Sequence, residues 1–274
     1  REGESWVALQ PSTGLDPAAV QSAQRYLDAV RSNLLFARSV LLVEGDAEEI
    51  LIPSLMKEIY GISLDEIGVS LINVRSTGFE NVANLFHSIR LRKRCAIITD
   101  YDQPYFDTTD QDKDQERVQK QKHKAKASAK AGVERKGRLD GYVADNDYVH
   151  VEYAPHTFEV DFSDASELNR TILTSVVDKV YERNAERAEL KADLAADKIE
   201  RYGSAALRLA TKAGKGWFAL LLAGQLRAAQ PDGDPVLPGY VLRALGFAAV
   251  DLPTETWVRI LEHRIARWNQ SLEA

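Results

Sequence analysis

The sequence predicts an α/β fold, a parallel β-sheet with flanking helices, followed by an all-α segment. Three short apolar runs carry the first half of that expectation: residues 39–43 (SVLLV), 69–74 (VSLINV) and 95–99 (CAIIT) have the length and composition of buried strands. Helical apolar spacing separates them, and strands alternating with helices imply a parallel sheet with right-handed crossovers. Beyond Asp164 the spacing is helical throughout, with caps or breaks near Gly203, Gly214, residues 231–238 and Pro253.

Taken in order, residues 17–38 place Val20, Ala23, Leu27, Val30 and Leu34 on one helical face, with Asp16 as N-cap before Pro17. The first strand ends in Glu44-Gly45-Asp46, and helical spacing resumes over 48–60. The second strand leads through Arg75-Ser76-Thr77-Gly78 to a helix expected over 81–91, with Val82, Leu85, Phe86 and Ile89 on one face. The third strand terminates in Asp100-Tyr101-Asp102. Residues 107–138 then form a basic, helical arm containing Lys113, Arg117, Lys120, Lys122, Lys124, Lys126, Lys130, Arg135, Lys136 and Arg138. Residues 148–153 (YVHVEY) alternate like a strand, and 157–162 (TFEVDF) continue it or turn nearby. The expected division is a sheet domain over 1–163 and a helical domain over 164–274.

Composition limits the function classes. With 274 residues, 45% hydrophobic and 28% charged, the chain has the balance of a soluble globular protein large enough for two cores. Its longest apolar runs, 39–43 and 218–223, are far shorter than the roughly 20 residues of a bilayer span. The single Cys95 excludes an internal disulfide and a cysteine-based zinc cluster, which suits a reducing cytoplasm. No signal-peptide pattern follows Arg1, so an excised fragment is expected. A net charge of −6 argues against a generally basic nucleic-acid coat protein and leaves local patches to decide.

The acids sit where an open parallel sheet binds its ligands, outside the carboxyl ends of the strands. Glu44 follows the first strand, Glu48 lies one helical turn beyond it, and Asp100 and Asp102 follow the third. Each acid alone could be a helix cap. Together in one crevice they repel unless cations neutralise them, and an all-oxygen set suits Mg²⁺, Mn²⁺ or Ca²⁺.

The segments VLLVEGDAEE and IITDYD resemble the Glu and Asp-x-Asp motifs of the Toprim fold, shared by topoisomerases, primases and several nucleases. The closer resemblance is to the OLD-family nucleases (overcoming lysogenization defect), through LLVEGDAEEILIP, STGFENVANLF, TFEVDF and GKGWFA, over about residues 36–222. It implies a Toprim-type, Rossmann-like sheet and a DNA endonuclease using two Mg²⁺ or Mn²⁺ ions. Glu44 would be the shared Toprim glutamate, Glu48, Asp100, Asp102, Glu159 and Asp161 would complete the metal shells, and Lys215 would be the basic catalytic residue. OLD proteins carry an N-terminal ATPase domain. The resemblance therefore implies that such a domain of the same natural chain is missing here, and that a homodimer would depend on it. No G-x-x-x-x-G-K-[ST] phosphate loop occurs in the sequence, nor do the tyrosine or zinc motifs of topoisomerases and primases.

Other residues have physical claims of their own. Lys215 follows Gly214 where a helix starts, and a cation there opposes the helix dipole, which suits phosphate binding better than stability. On a strand, Glu159 and Asp161 would face one side; otherwise they are solvent-facing acids of an edge strand. Ser76, Thr77 and Gly78 can offer hydroxyls and backbone N–H groups to a phosphate, or form an ordinary turn. The basic arm, Lys120 and Lys124 included, can track a phosphate backbone, or be a solvated helix face. Arg90, Arg92, Lys93 and Arg94 form a second cluster expected along the same groove, and His156 is read as structural. The alternative function is a non-catalytic module that binds metal and nucleic acid and docks in a larger assembly; a third is an RNA-processing enzyme.

Overall fold

The computed structural model describes residues 14, 16–18, 20–21, 37–75, 78–111, 115–226, 234–249 and 251–273. Most of the helix expected over 17–38 lies outside them, although Asp16 does accept the Ala18 N–H at 2.8 Å as a cap should. Ser76, Thr77 and Lys113 also lie outside the described residues.

Among the described residues four strands form one parallel sheet in the order β2-β1-β3-β4: β1 Ser39–Val43, β2 Val69–Asn73, β3 Cys95–Asp100 and β4 Val149–Ala154. Every residue of β1 is buried, as a central strand covered on both faces requires. The crossovers carry α1 (Asp46–Tyr60), α2 (Phe79–Ala83) and the 28-residue α3 (Glu116–Val143). After β4 come α4 Phe158–Ala165, α5 Glu167–Val180, α6 Asn184–Leu194, α7 Ile199–Ala213, α8 Lys215–Ala223, α9 Gly239–Ala248 and α10 Thr254–Glu273. Among the described residues no helix is long and apolar enough to cross a membrane.

Among the described residues two apolar cores flank the sheet. One, around Leu42, Ile97, Phe79, Phe86 and Leu139, packs α2 and α3 on one face. The other runs from Leu41, Leu51 and Ile98 through Phe162, Val176 and Leu209 to Phe218 and Leu245, joining the sheet to the helices that follow it. Position 163 falls inside α4, and this continuous cluster crosses it, so the expected division does not separate two cores.

Three local expectations need correction. TFEVDF is the start of α4, not a strand. Its apolar alternation is misleading because Phe158 through Ser163 are all buried, and Phe158 and Phe162 stack at 6.1 Å with helical i, i+4 spacing. Glu159 and Asp161, two apart on a helix, therefore do not share a face. The helix expected over 81–91 stops at Ala83; Val82, Leu85 and Phe86 are buried, but Ile89 is 64% exposed. Gly203 does not break a helix but lies inside α7, where a Cβ would come within 3.0 Å of Val160 Cγ1, so it serves as a contact point with α4.

Candidate metal centre

Glu44 leaves the end of β1, and Thr99 on neighbouring β3 donates its hydroxyl to Glu44 Oε2 at 3.1 Å. One turn into α1, Glu48 is buried and its carboxylate folds back over Gly45. A Cβ on Gly45 would sit 2.0 Å from Glu48 Oε2, so glycine serves the close approach of this carboxylate rather than backbone freedom, and a larger residue would displace the Glu48 side chain. Buried Asn73, at the end of β2, donates to Asp46 Oδ1 at 3.0 Å and Glu49 Oε2 at 2.9 Å, fixing the first turn of α1 beside the site. Asp100 closes β3. Lys215 begins α8 after Gly214, whose φ of 85° lies in the left-handed region that favours glycine.

Glu44, Gly45, Asp46, Glu48, Arg75, Asp100 and Lys215 line one open cavity of about 570 Å³. The sheet thus brings together four of the expected site residues, Glu44, Glu48, Asp100 and Lys215. Glu159 stands behind them, 1% exposed, with Lys215 Nζ 3.0 Å from its Oε1 and 3.4 Å from its Oε2. The nearer oxygen has an ion-pair contact without an aligned hydrogen bond.

Crowding and burial shape the charges. Burial, reinforced by Glu159 and Glu44, pushes the Glu48 carboxyl up to about 7. Burial, with Glu48, Asp102 and Glu159 nearby, holds Asp100 well above the usual carboxylate range. Burial works against the Lys215 ammonium, yet Glu159, Glu48 and Asp100 together carry it above the ordinary lysine value. With Glu44, Asp46, Glu48 and Asp100 facing Arg75 and Lys215, the lining carries more acidic than basic side chains.

Other expected residues lie apart. The Asp102 carboxylate does not line the cavity; its Oδ2 pairs with Arg135 of α3 at 2.8 Å. Asp161 accepts the His156 N–H at 3.2 Å, and burial pushes its carboxyl up to about 7. His156 also places Nδ1 2.6 Å from the Gln103 carbonyl, a loop-fastening role. Gly78, with φ 84°, caps α2. Lys120 pairs with Glu116 on the exposed face of α3, where Lys124 also lies.

The cluster at 90–94 is not in this groove. Arg92, Lys93 and Arg94 precede the amino end of β3, whereas the acids follow its carboxyl end, roughly 20 Å away along a six-residue strand. Lys93 donates to the Ala37 carbonyl at 2.6 Å, Arg94 to that of Phe247 at 3.1 Å, Arg92 to that of Ser88 at 2.7 Å, and Arg90 to that of Asn84 at 2.9 Å. These side chains fasten loops. Gly45, Asn73, Arg75 and Arg135 were not singled out from sequence; only the glycine, beside the strand-end glutamate, left a readable signal.

Residues 35–102 match the family described as "Overcoming lysogenization defect protein-like, TOPRIM domain". This segment is an OLD-like Toprim domain. A similar solved structure, the C-terminal region of the Burkholderia pseudomallei OLD protein, is 25% identical with a TM-score of 0.51 and covers 78% of this chain and 97% of that one. The C-terminal region of the Xanthomonas campestris pv. campestris OLD protein gives 21% identity and a TM-score of 0.49, over 86% and 100% of the two chains. No curated protein sequence matches. The family match and the Burkholderia structure support an OLD-family C-terminal Toprim region, with its parallel sheet and helical C-terminal part. Toprim domains generally bind divalent metals, and the hard oxygen donors of Glu44, Glu48 and Asp100 fit such ions. Among the described residues no group of three or more His, Cys, Asp or Glu side chains is arranged to hold a metal ion by itself. Ions held here would keep waters or take substrate oxygens, as Mg²⁺ commonly does.

Proposed function

We propose that this chain is the nuclease region of a larger ATPase-nuclease and hydrolyses DNA phosphodiester bonds with the help of Mg²⁺ or Mn²⁺, two ions per site. The carrying observation is the convergence of Glu44, Glu48 and Asp100 with Lys215 on one open cavity. Divalent ions bound there would supply Lewis-acid activation of the phosphodiester and of a water nucleophile.

The chain's own residues do the rest. Glu44, oriented by Thr99, and Glu48, seated over Gly45, present oxygens from adjacent elements, and Asp100 faces them from β3. Asp102, whose Oδ2 pairs with Arg135 outside the cavity, would bring only its remaining carboxylate oxygen to the set. Lys215, about half exposed and kept cationic by Glu159, is placed to meet the charge that grows on the scissile phosphate. Glu159 and Asp161 are therefore assigned first to holding Lys215 and the His156 loop, ahead of the direct ligand roles expected from sequence. Exposed Arg117, Lys120 and Lys124 on α3 would contact backbone phosphates without reading sequence.

The test is incubation of the purified chain with supercoiled plasmid and Mg²⁺ or Mn²⁺, beside a chelator control and the Asp100→Asn and Asp102→Ala variants. Nicked or linear product that needs both metal and the two aspartates supports the proposal. Cleavage by either variant at the wild-type rate contradicts its assignment. Metal-dependent DNA retention without cleavage would favour the docking-module alternative.

A further inference from the structure

Behind the Asp-x-Asp turn, α3 makes a contact that neither strand-end motif contains. Arg135 Nη2 donates both to the Asp100 carbonyl and to Asp102 Oδ2, the latter at 2.8 Å. Asp102 has φ 57°, a left-handed backbone that is uncommon outside glycine, although Asp tolerates it better than most residues. Gly132, one turn before Arg135, lets the helix touch the turn: a Cβ there would lie 2.1 Å from the Tyr101 carbonyl oxygen. From the other side the Tyr101 N–H is tied to the Ala154 carbonyl at 2.7 Å.

The helix is a firm platform at this point. Tyr153 of β4 donates to Asp140 at 2.7 Å, Lys136 lies over the Tyr153 ring at 4.1 Å, and Tyr142 donates to Asn84 at 2.8 Å. Arg135 is mostly enclosed, and its Nε is buried without a hydrogen-bond partner among the described residues. An unused buried donor is a cost that packing alone does not explain. The planar guanidinium fixes the directions of the two Nη2 hydrogens, so one nitrogen meets a carbonyl and a carboxylate from a set position, whereas an ammonium on a flexible stem has no such fixed geometry.

We propose that Arg135 is the positioning residue of this centre, gripping Asp102 and the Asp100 backbone so that the turn presents its acids to a divalent cation. The inference rests on the metal-centre reading above. Carboxylate ligands are commonly oriented by outer hydrogen-bond partners, and losing one typically costs 10–100-fold in metal affinity.

The experiment is calorimetric titration of Mn²⁺ into the wild-type chain and the Arg135→Gln, Arg135→Lys and Asp102→Asn variants, with thermal unfolding of each. Arg135→Gln is expected to weaken Mn²⁺ binding by about 10–100-fold while still unfolding cooperatively, and Arg135→Lys, which keeps the charge but not the planar geometry, to fall between. A purely structural arginine would shift unfolding and leave Mn²⁺ affinity unchanged. If Arg135→Gln does not fold, Arg135→Lys decides. Wild-type affinity in the arginine variants together with weakened binding in Asp102→Asn overturns this inference alone. Unchanged binding in Asp102→Asn, or none in the wild type, overturns the metal reading of Asp102 and this inference with it.

Discussion

Raising the pH from about 5 to about 8 in the presence of a chelator should destabilise this protein. Glu48 is buried and its carboxyl is raised from 4.5 to about 7. The folded state thus binds that proton more tightly than the unfolded chain does. The associated stability is fully present below the unfolded value and is lost as pH rises through the folded one. A difference of about 2.5 pK units at 1.36 kcal/mol each gives about 3 kcal/mol. Asp161, raised from 3.8 to about 7, adds a loss of similar order with the same sign, and Asp100 acts in the same direction. Carboxyls held low, such as Glu66 and Asp178, titrate below this window and do not mask it. Urea denaturation midpoints at successive pH values measure the slope, and Glu48→Gln should flatten it. Stability that is constant or rising over this range would refute the picture of a crowded, under-neutralised acid cluster. Saturating Mg²⁺ at the alkaline end should return about 2.7 kcal/mol at 100 times Kd.

Three further outcomes follow from particular contacts. Gly45→Ala forces the Glu48 carboxylate out of its seat, so plasmid nicking should fall about 100-fold while the circular dichroism spectrum stays unchanged. Asn169→Ala removes donation to the Phe162 and Val236 carbonyls and acceptance from the Val236 N–H, and should cost about 2–3 kcal/mol in urea unfolding. Replacing Arg117, Lys120 and Lys124 together with Gln should make the log–log salt dependence of duplex binding shallower by about 2–3, while the Mn²⁺ affinity stays at the wild-type value.

The sheet was legible because its strands are buried on both faces: SVLLV and CAIIT are apolar runs whose polar members, Ser39 and Thr99, stand only at their ends. The strand-end acids were legible for the same reason, since Glu44 and Asp100 mark where those runs stop. Lys215 could be read from the glycine before it and from its unfavourable place at a helix start. TFEVDF misled because a helix buried all round leaves no polar face, so period two and period 3.6 both fit six residues. The cluster at 90–94 misled because charge shows in sequence while the end of the sheet it occupies does not. Arg135 was hidden among ten basic residues of one run, and only tertiary packing separates the arginine that holds Asp102 from its solvent-facing neighbours.

The most direct measurement is a crystal structure of the wild-type chain with Mn²⁺, read from its anomalous scattering. The account predicts Mn²⁺ peaks inside the cavity lined by Glu44, Glu48 and Asp100, with Lys215 at its rim. Fully occupied peaks elsewhere, or none in that cavity at millimolar Mn²⁺, would contradict it.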